Sequence, residues 1–208
     1  MIRSIAYASC YVYSPAGTGV MCERSRLLRA LLKEGDAHFM VKYALRVHQQ
    51  AQQCAKLAGF FGATDILVPV PGSTPKARGR WAAADLAQAL VHEGLGTVAW
   101  PGLRRVCAVP KSATAAPGAR PTVSRHYESF HMERPSIPPS SVVLIDDVVT
   151  KGRTLLAAAA RVRETCPLTQ IRAFALLRTV GFVAGVESLL DPCMGEIKWQ
   201  AGDALRTP

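Results

Sequence analysis

Two adjacent carboxylates follow an apolar segment, and a short loop of threonine, lysine, glycine and arginine follows the carboxylates. The apolar segment is 142–145, the acids are Asp146 and Asp147, and the loop is 150–154. Carboxylates at the carboxyl end of a buried strand can accept hydrogen bonds from a pair of sugar hydroxyls, because ligands of open α/β sheets bind at that edge. The loop presents backbone N–H groups at the start of a helix, where the helix dipole favours an anion. The pattern predicts a site for a ribose 5-phosphate.

The loop supplies the predicted contacts to the 5-phosphate. Its glycine allows the backbone to approach a phosphate without a Cβ in the way, and its hydroxyls and cations add donors. The predicted contact residues are Val149, Thr150, Lys151, Gly152, Arg153 and Thr154.

These residues resemble the 5-phosphoribosyl-1-pyrophosphate (PRPP) signature of the type I phosphoribosyltransferases. That signature consists of apolar residues, two acids, two spacers and then Thr/Ser-x-Gly-x-Thr, and every defining position is filled here. The residues alone leave open an ordinary strand–turn–helix of another nucleotide-binding fold.

Two further segments resemble the competence protein F-like branch of that family. Residues 65–71 end in Val-Pro-Val-Pro and precede an Arg-Gly turn at 78–79 and a helix, and residues 30–33 form a lysine-containing entry. The branch typically carries an N-terminal zinc module with paired Cys-x-x-Cys motifs, which this chain lacks, and an Asn-Gln that here is replaced by Trp81-Ala82. The similarity spans roughly residues 30 to 178.

The resemblance implies a type I phosphoribosyltransferase fold, which is Rossmann-like, with a mainly parallel central sheet flanked by helices and a small hood. It implies transfer of the 5-phosphoribosyl group from PRPP to a nitrogenous acceptor, with release of pyrophosphate and with Mg²⁺ bound through the substrate rather than by dedicated protein ligands. A homodimer is also expected. The sequence identifies neither the acceptor nor a general base; Trp81, Tyr127 and Phe182 are aromatic residues that could stack on an acceptor.

The remaining predicted contacts lie on two other loops. The loop after the Val-Pro-Val-Pro strand is the candidate pyrophosphate loop, and the long segment 104–131 is expected to be a flexible loop that closes over the substrate. The residues concerned are Pro71, Gly72, Ser73 and Arg78 on the first, and Lys111 and Arg120 on the second.

The elements that must position these loops alternate along the chain. Apolar periodicity predicts helices at 24–33, 36–61, 79–92 and 154–165, and strands at 5–13, 65–71, 97–100, 141–145, 171–177 and 196–199. Such alternation predicts an α/β fold with a mainly parallel sheet. We expect one domain over 1–208, with about 1–35 and 178–208 as hood or edge elaborations.

Net charge, apolar runs and cysteine spacing narrow the possible partners and location of the protein. The formal net charge of the 208 residues is +10. This surplus suits a polyanion, which can be nucleic acid or PRPP itself, or it can lie on a solvated surface. The chain has neither a membrane-spanning apolar run nor a signal-peptide h-region, so we expect a cytoplasmic protein with no membrane partner. The six cysteines lack metal-ligand spacing and are expected to be reduced and mostly buried.

Two other functions compete with transfer as explanations of these residues. A non-catalytic PRPP-binding module that regulates or handles nucleic acid also fits the charge and the competence protein F-like segments. A nucleotide phosphatase or kinase is less well supported, because no P-loop Gly-Lys-Ser/Thr occurs.

Overall fold

The computed structural model describes residues 2–75, 81–110, 120–181 and 185–208. Within these residues the chain forms nine strands and five α-helices. In chain order they are β1 (Ser4–Tyr13), α1 (Val20–Glu34), α2 (Ala37–Gln53), β2 (Ile66–Pro69), α3 (Ala82–His92), β3 (Val98–Ala99), β4 (Leu103–Arg105), α4 (Val123–Ser129), β5 (Phe130–Met132), β6 (Ser141–Val149), α5 (Arg153–Thr165), β7 (Gln170–Thr179), β8 (Leu190–Gln200) and β9 (Asp203–Thr207).

Seven of these strands form one sheet in the order β3-β2-β6-β7-β1-β8-β9. The strands from β3 to β1 are parallel, and β8 and β9 extend the sheet as antiparallel edge strands. The middle of β6, residues 142–145, is wholly buried, as expected for a parallel strand covered on both faces. The predicted α/β class with a mainly parallel sheet flanked by helices is confirmed.

Helices cover both faces of the sheet because successive side chains of a strand point to opposite sides. Val143 and Ile145 pack among residues of α1, α2 and α3. Val142 and Leu144 pack among residues of α4 and α5 and of the two-stranded ribbon formed by β4 and β5. Each face therefore has its own apolar core.

The predicted long helix and the predicted long loop both differ from the structure. The helix expected over 36–61 ends at Gln53, and residue 54 is extended. The apolar pattern continues beyond that point because Leu57 and Phe60 are still buried, although they lie on turns.

The segment expected to be a long loop, 104–131, contains most of the β4–β5 ribbon and all of α4 among its described residues. The side chain of Thr122 caps α4 by accepting a hydrogen bond from the backbone N–H of Arg125 at 3.2 Å. A short capped helix of this kind is too brief to show apolar periodicity in the sequence.

A buried ion pair joins three strands at the opposite, amino-terminal edge of the parallel strands. The guanidinium of Arg172 on β7 donates to both carboxylate oxygens of Asp65, at 2.7 and 2.8 Å, and to the hydroxyl of Ser141 at 3.0 Å. Asp65 is only 1% exposed. The pair therefore aligns the starts of β2, β6 and β7.

Two smaller findings complete the fold. No described helix is both long enough and apolar enough to cross a membrane. All six cysteines are free thiols; four are buried, Cys54 is half-buried and Cys107 is exposed.

Candidate functional site

The connections of the sheet diverge at the carboxyl ends of β2 and β6, and the region at these two strand ends is called the crevice. From β2 the chain passes through α3 to β3 on one side, and from β6 it passes through α5 to β7 on the other. In open α/β sheets, ligands bind at such a switch point. Here it brings together two sequence-predicted loops, the one at 71–73 and the one at 150–154.

The two carboxylates lie near the carboxyl end of β6, beside this crevice. Asp147 is 8% exposed, and its carboxylate forms an ion pair with the ammonium of Lys33 at the end of α1. Asp146 lies near the cationic Arg105 of β4. Each carboxylate also accepts the backbone N–H of the next residue, at 2.8 and 2.9 Å.

The pair does not ionise symmetrically. Burial and the negative charge of its neighbour hold the pKa of Asp146 well above its ordinary value. Burial also acts to raise the pKa of Asp147, but the Lys33 ammonium, the hydrogen bond with the Asp146 side chain and the backbone hydrogen bond outweigh it and lower that pKa. Lys33 therefore selects which of the two carries the negative charge.

The predicted 5-phosphate loop forms the amino-terminal end of α5. Gly152 is the N-cap residue with φ of 85°, and no side chain of the described residues caps the helix there. The N–H groups of the first turn of a helix have no partner within the helix, so this end is open to an anion. The hydroxyl of Thr150 lies 3.1 Å from that of Thr179 on β7.

Residues of β8 and β9 contact the 5-phosphate loop and hold it in place. A Cβ on Gly152 would lie 2.6 Å from Cγ2 of Ile197 on β8. The Arg153 guanidinium donates to both oxygens of Asp203 on β9, at 2.5 and 2.6 Å, and the ammonium of Lys151 is 3.4 Å from the same carboxylate. The Arg153 hydrogen bonds lower the pKa of Asp203 to about 2.

The predicted pyrophosphate loop is tied to the ribbon by Arg105. Its buried guanidinium donates to the carbonyls of Pro71, at 3.5 Å, and Gly72, and it lies 4.2 Å from the centre of the Phe130 ring. Burial lowers the pKa of Arg105 to about 10, which leaves it charged at neutral pH. The backbone N–H of Val109 donates to the carbonyl of Ser73 at 2.9 Å.

His126 on α4 connects the ribbon with the 5-phosphate loop. It is 4% exposed, and its Nε2 lies 3.4 Å from the hydroxyl of Thr154. Burial and the charges of Arg105 and Arg153 lower the pKa of His126 to about 4. The imidazole is therefore neutral at physiological pH and can act only as a hydrogen-bonding group toward Thr154.

The described contacts of this assembly do not include the other predicted residues. Arg78 and Lys111 fall outside the described residues, and so does Phe182. Arg120 is described and exposed. Tyr127 contacts Arg161 and Glu164 on the outer side of α5, and the indole N–H of Trp81 donates to the carbonyl of Val70 at 3.1 Å.

Four contacting residues were not predicted as site residues: Lys33, Arg105, His126 and Asp203. Each reaches the site from a distant part of the chain, so no local spacing indicates its role. The only sequence signal was the lysine-containing segment 30–33, which carries no indication that Lys33 contacts Asp147.

The described residues contain no group of three or more His, Cys, Asp or Glu side chains that could hold a metal ion. Two adjacent carboxylates still suit Mg²⁺, which commonly binds one or two carboxylates together with phosphate oxygens and water. Asp146 and Asp147 are the residues that would hold it.

No protein-family model matches the chain, and no curated protein matches it.

Proposed function

We propose that the protein is a phosphoribosyltransferase of the type I fold, which binds PRPP in the crevice between β2 and β6. The observation that supports this most strongly is the convergence of the Asp146-Asp147 pair and the Gly152-capped end of α5 at the topological switch point. The other wall of the crevice is the loop 71–73, which belongs to the neighbouring strand. In this arrangement, carboxylates that can accept hydrogen bonds from ribose hydroxyls lie between two backbone segments that can bind anions, the start of α5 and the loop 71–73.

Each part of PRPP has a proposed partner. The 5-phosphate binds the open N–H groups of α5 and the hydroxyls of Thr150 and Thr154. The ribose hydroxyls donate to Asp146 and Asp147. The pyrophosphate lies along 71–73, and Arg78, Lys111 and Arg120 stay contacts predicted from the sequence alone.

Charge at the acid pair fits this assignment. PRPP transfer develops positive charge at the anomeric carbon, and preorganised carboxylates nearby stabilise that charge. Lys33 keeps Asp147 ionised in the free protein. Mg²⁺ bound with the substrate would neutralise pyrophosphate oxygens and so make pyrophosphate a better leaving group.

The test is turnover of PRPP in the presence of mixed nitrogenous bases and Mg²⁺, followed as pyrophosphate release. The variant Asp146→Asn/Asp147→Asn is expected to lose release by at least about 100-fold, since hydrogen bonds to charged groups contribute about 1.5–3 kcal/mol each. The matched control is Glu187→Gln/Glu196→Gln, which removes two exposed carboxylates from the same chain. Equal loss in both variants would contradict the assignment.

A non-catalytic PRPP-binding protein is the second candidate. It is favoured by the run 37–64, which forms α2 and the turns after it and contains no acidic residue, while Lys42, Arg46 and Lys56 are exposed. Such a basic surface suits nucleic acid. PRPP binding without pyrophosphate release, together with steeply salt-dependent binding of single-stranded DNA or RNA, would favour this function.

The expected homodimer and the expected cytoplasmic location stay predictions. Sedimentation of the purified protein measures the former directly, and a dimer would leave the crevice assignment unchanged.

A further inference from the structure

The side of the crevice toward β7 and β1 lies opposite the proposed pyrophosphate loop. The loop 71–73 lies at the β2 side of β6, whereas β7 and β1 lie at the other side. In a direct displacement at an anomeric carbon, the entering group approaches the face opposite the leaving group. If pyrophosphate lies toward β2, the acceptor nitrogen enters from the side of β7 and β1.

Two cationic side chains of α1, those of Arg29 and Lys33, lie over that side. The guanidinium of Arg29 lies 5.4 Å from the centre of the Tyr13 ring at the end of β1, and Tyr13 is paired with Thr179 at the end of β7. Lys33 follows Arg29 by four residues, so the two side chains share a helix face. Lys33 contacts Asp147 on β6. These contacts therefore extend from Tyr13 to Asp147, across the ends of β1, β7 and β6, and α1 lies over them.

Arg29 differs from the other cations around the crevice in having neither a hydrogen bond nor an ion pair among the described residues. Lys33 pairs with Asp147, Arg153 pairs with Asp203, and Arg26 donates to the carbonyl of Gly17 at 2.9 Å. Within the described part of the chain, the Arg29 guanidinium interacts with the Tyr13 ring instead. A guanidinium held over an aromatic ring keeps its N–H edges free, and these edges match the geometry of a carboxylate.

We propose that Arg29 binds a carboxylate on the acceptor, so that the nucleophile is a nitrogen compound bearing a carboxylate group. This inference rests on the proposed function. The acceptor nitrogen forms the new bond to the anomeric carbon with its lone pair, and the bond from that carbon to the pyrophosphate oxygen breaks. Pyrophosphate leaves with the electron pair. An amine acceptor then loses one N–H proton to water or to pyrophosphate, whereas a pyridine nitrogen, which carries no proton, becomes cationic. Tyr13 is a positioning residue that orients the guanidinium.

The experiment compares acceptors that differ only in the carboxylate. Pyridine-3-carboxylate is paired with pyridine-3-carboxamide, and 2-aminobenzoate with 2-aminobenzamide, each with saturating PRPP and Mg²⁺. Pyrophosphate release gives kcat/KM for each member, and calorimetry on the same samples gives the Kd for PRPP. The variants are Arg29→Gln, Tyr13→Leu and, as a control on the exposed face of the same helix, Arg24→Gln.

At least one carboxylate is expected to exceed its amide partner by about 10-fold or more in kcat/KM. Arg29→Gln is expected to abolish that ratio mainly through KM, because loss of a charge-assisted hydrogen bond corresponds to about a tenfold change or more. Tyr13→Leu should reduce the ratio by a smaller factor, and Arg24→Gln should leave the ratio unchanged. The Kd for PRPP should be the same in all of these variants as in the wild type.

The outcomes separate this inference from the proposed function. A wild-type protein that binds PRPP but shows no preference for any carboxylate, or no release with any of them, overturns the inference alone. A preference that survives Arg29→Gln also overturns it. Absence of PRPP binding overturns the proposed function, and the inference with it.

Discussion

Gly152 is the residue of the phosphate loop whose replacement has the most clearly defined cost. Its φ of 85° lies in the left-handed region, and an added Cβ would lie 2.6 Å from Cγ2 and 2.7 Å from Cδ1 of Ile197. The left-handed conformation costs a residue with a Cβ about 1–2 kcal/mol, and overpacking costs about 1–3 kcal/mol more. Gly152→Ala is therefore expected to lower the free energy of unfolding by about 2–5 kcal/mol.

Gly202, in the turn between β8 and β9, is the matched control. Its φ is 83°, but an added Cβ there has no atom within 4 Å. Gly202→Ala thus carries the backbone cost without the steric cost, and it should lower the free energy of unfolding by only about 1 kcal/mol. The difference between the two variants measures the contact with Ile197.

Urea denaturation followed by circular dichroism measures these free energies, and a double-mutant cycle isolates the contact. Ile197→Ala removes all three atoms near the added Cβ, so Gly152→Ala/Ile197→Ala should be less destabilised than the sum of the single variants by about 1–3 kcal/mol. Equal losses in Gly152→Ala and Gly202→Ala, or additive effects in the cycle, would refute this account of the loop.

Three further predictions concern charged groups. Lys33→Met removes the cation that lowers the pKa of Asp147, so burial then raises that pKa above its ordinary value. Relative to wild type, the free energy of unfolding of the variant should fall by about 1 kcal/mol as pH rises from about 4 to 7. Asp65→Asn leaves the Arg172 guanidinium buried without its carboxylate and should lower the free energy of unfolding by about 3–5 kcal/mol at pH 7. Asp203→Asn should cost about 1 kcal/mol at neutral pH; because the pKa of Asp203 is lowered to about 2 from 3.8, the difference from wild type shrinks as pH falls below about 4.

The first two of these predictions have matched controls. Lys42→Met removes an exposed lysine of α2 and should leave the pH dependence of unfolding unchanged. Asp191→Asn removes a half-exposed carboxylate and should cost much less than Asp65→Asn. The prediction for Lys33 is wrong if the stability of its variant follows that of the wild type across the pH range. The prediction for Asp65 is wrong if its variant loses less than about 1 kcal/mol of unfolding free energy. The prediction for Asp203 is wrong if the stability difference from wild type is unchanged near pH 2.

The sequence predicted the parts of the site that are encoded locally. The apolar run of β6, its acids and the loop that caps α5 follow one another along the chain, so composition and spacing were sufficient. The structure extends β6 through Val149, four residues beyond the predicted end. The acids therefore lie within a hydrogen-bonded strand, where Lys33 contacts Asp147 and Arg105 lies near Asp146.

The parts that the sequence did not predict depend on contacts between distant segments. Lys33 is an ordinary lysine at a helix end, and its role appears only when α1 packs beside β6. The last strand was expected at 196–199, but β8 spans Leu190–Gln200 and turns through Ala201-Gly202 into β9. That turn lacks a typical Asn-Gly or Asp-Gly signal, so neither β9 nor the contact of Asp203 with Arg153 could be predicted.

The most direct test of the central claim is a calorimetric titration with PRPP and Mg²⁺ of the wild type, Asp146→Asn/Asp147→Asn and the control Glu187→Gln/Glu196→Gln. The account predicts saturable binding to the wild type and the control, and a Kd for the Asn variant weaker by at least about 10-fold, which corresponds to about 1.4 kcal/mol. No binding to the wild type, or equal Kd values in all three proteins, would contradict it.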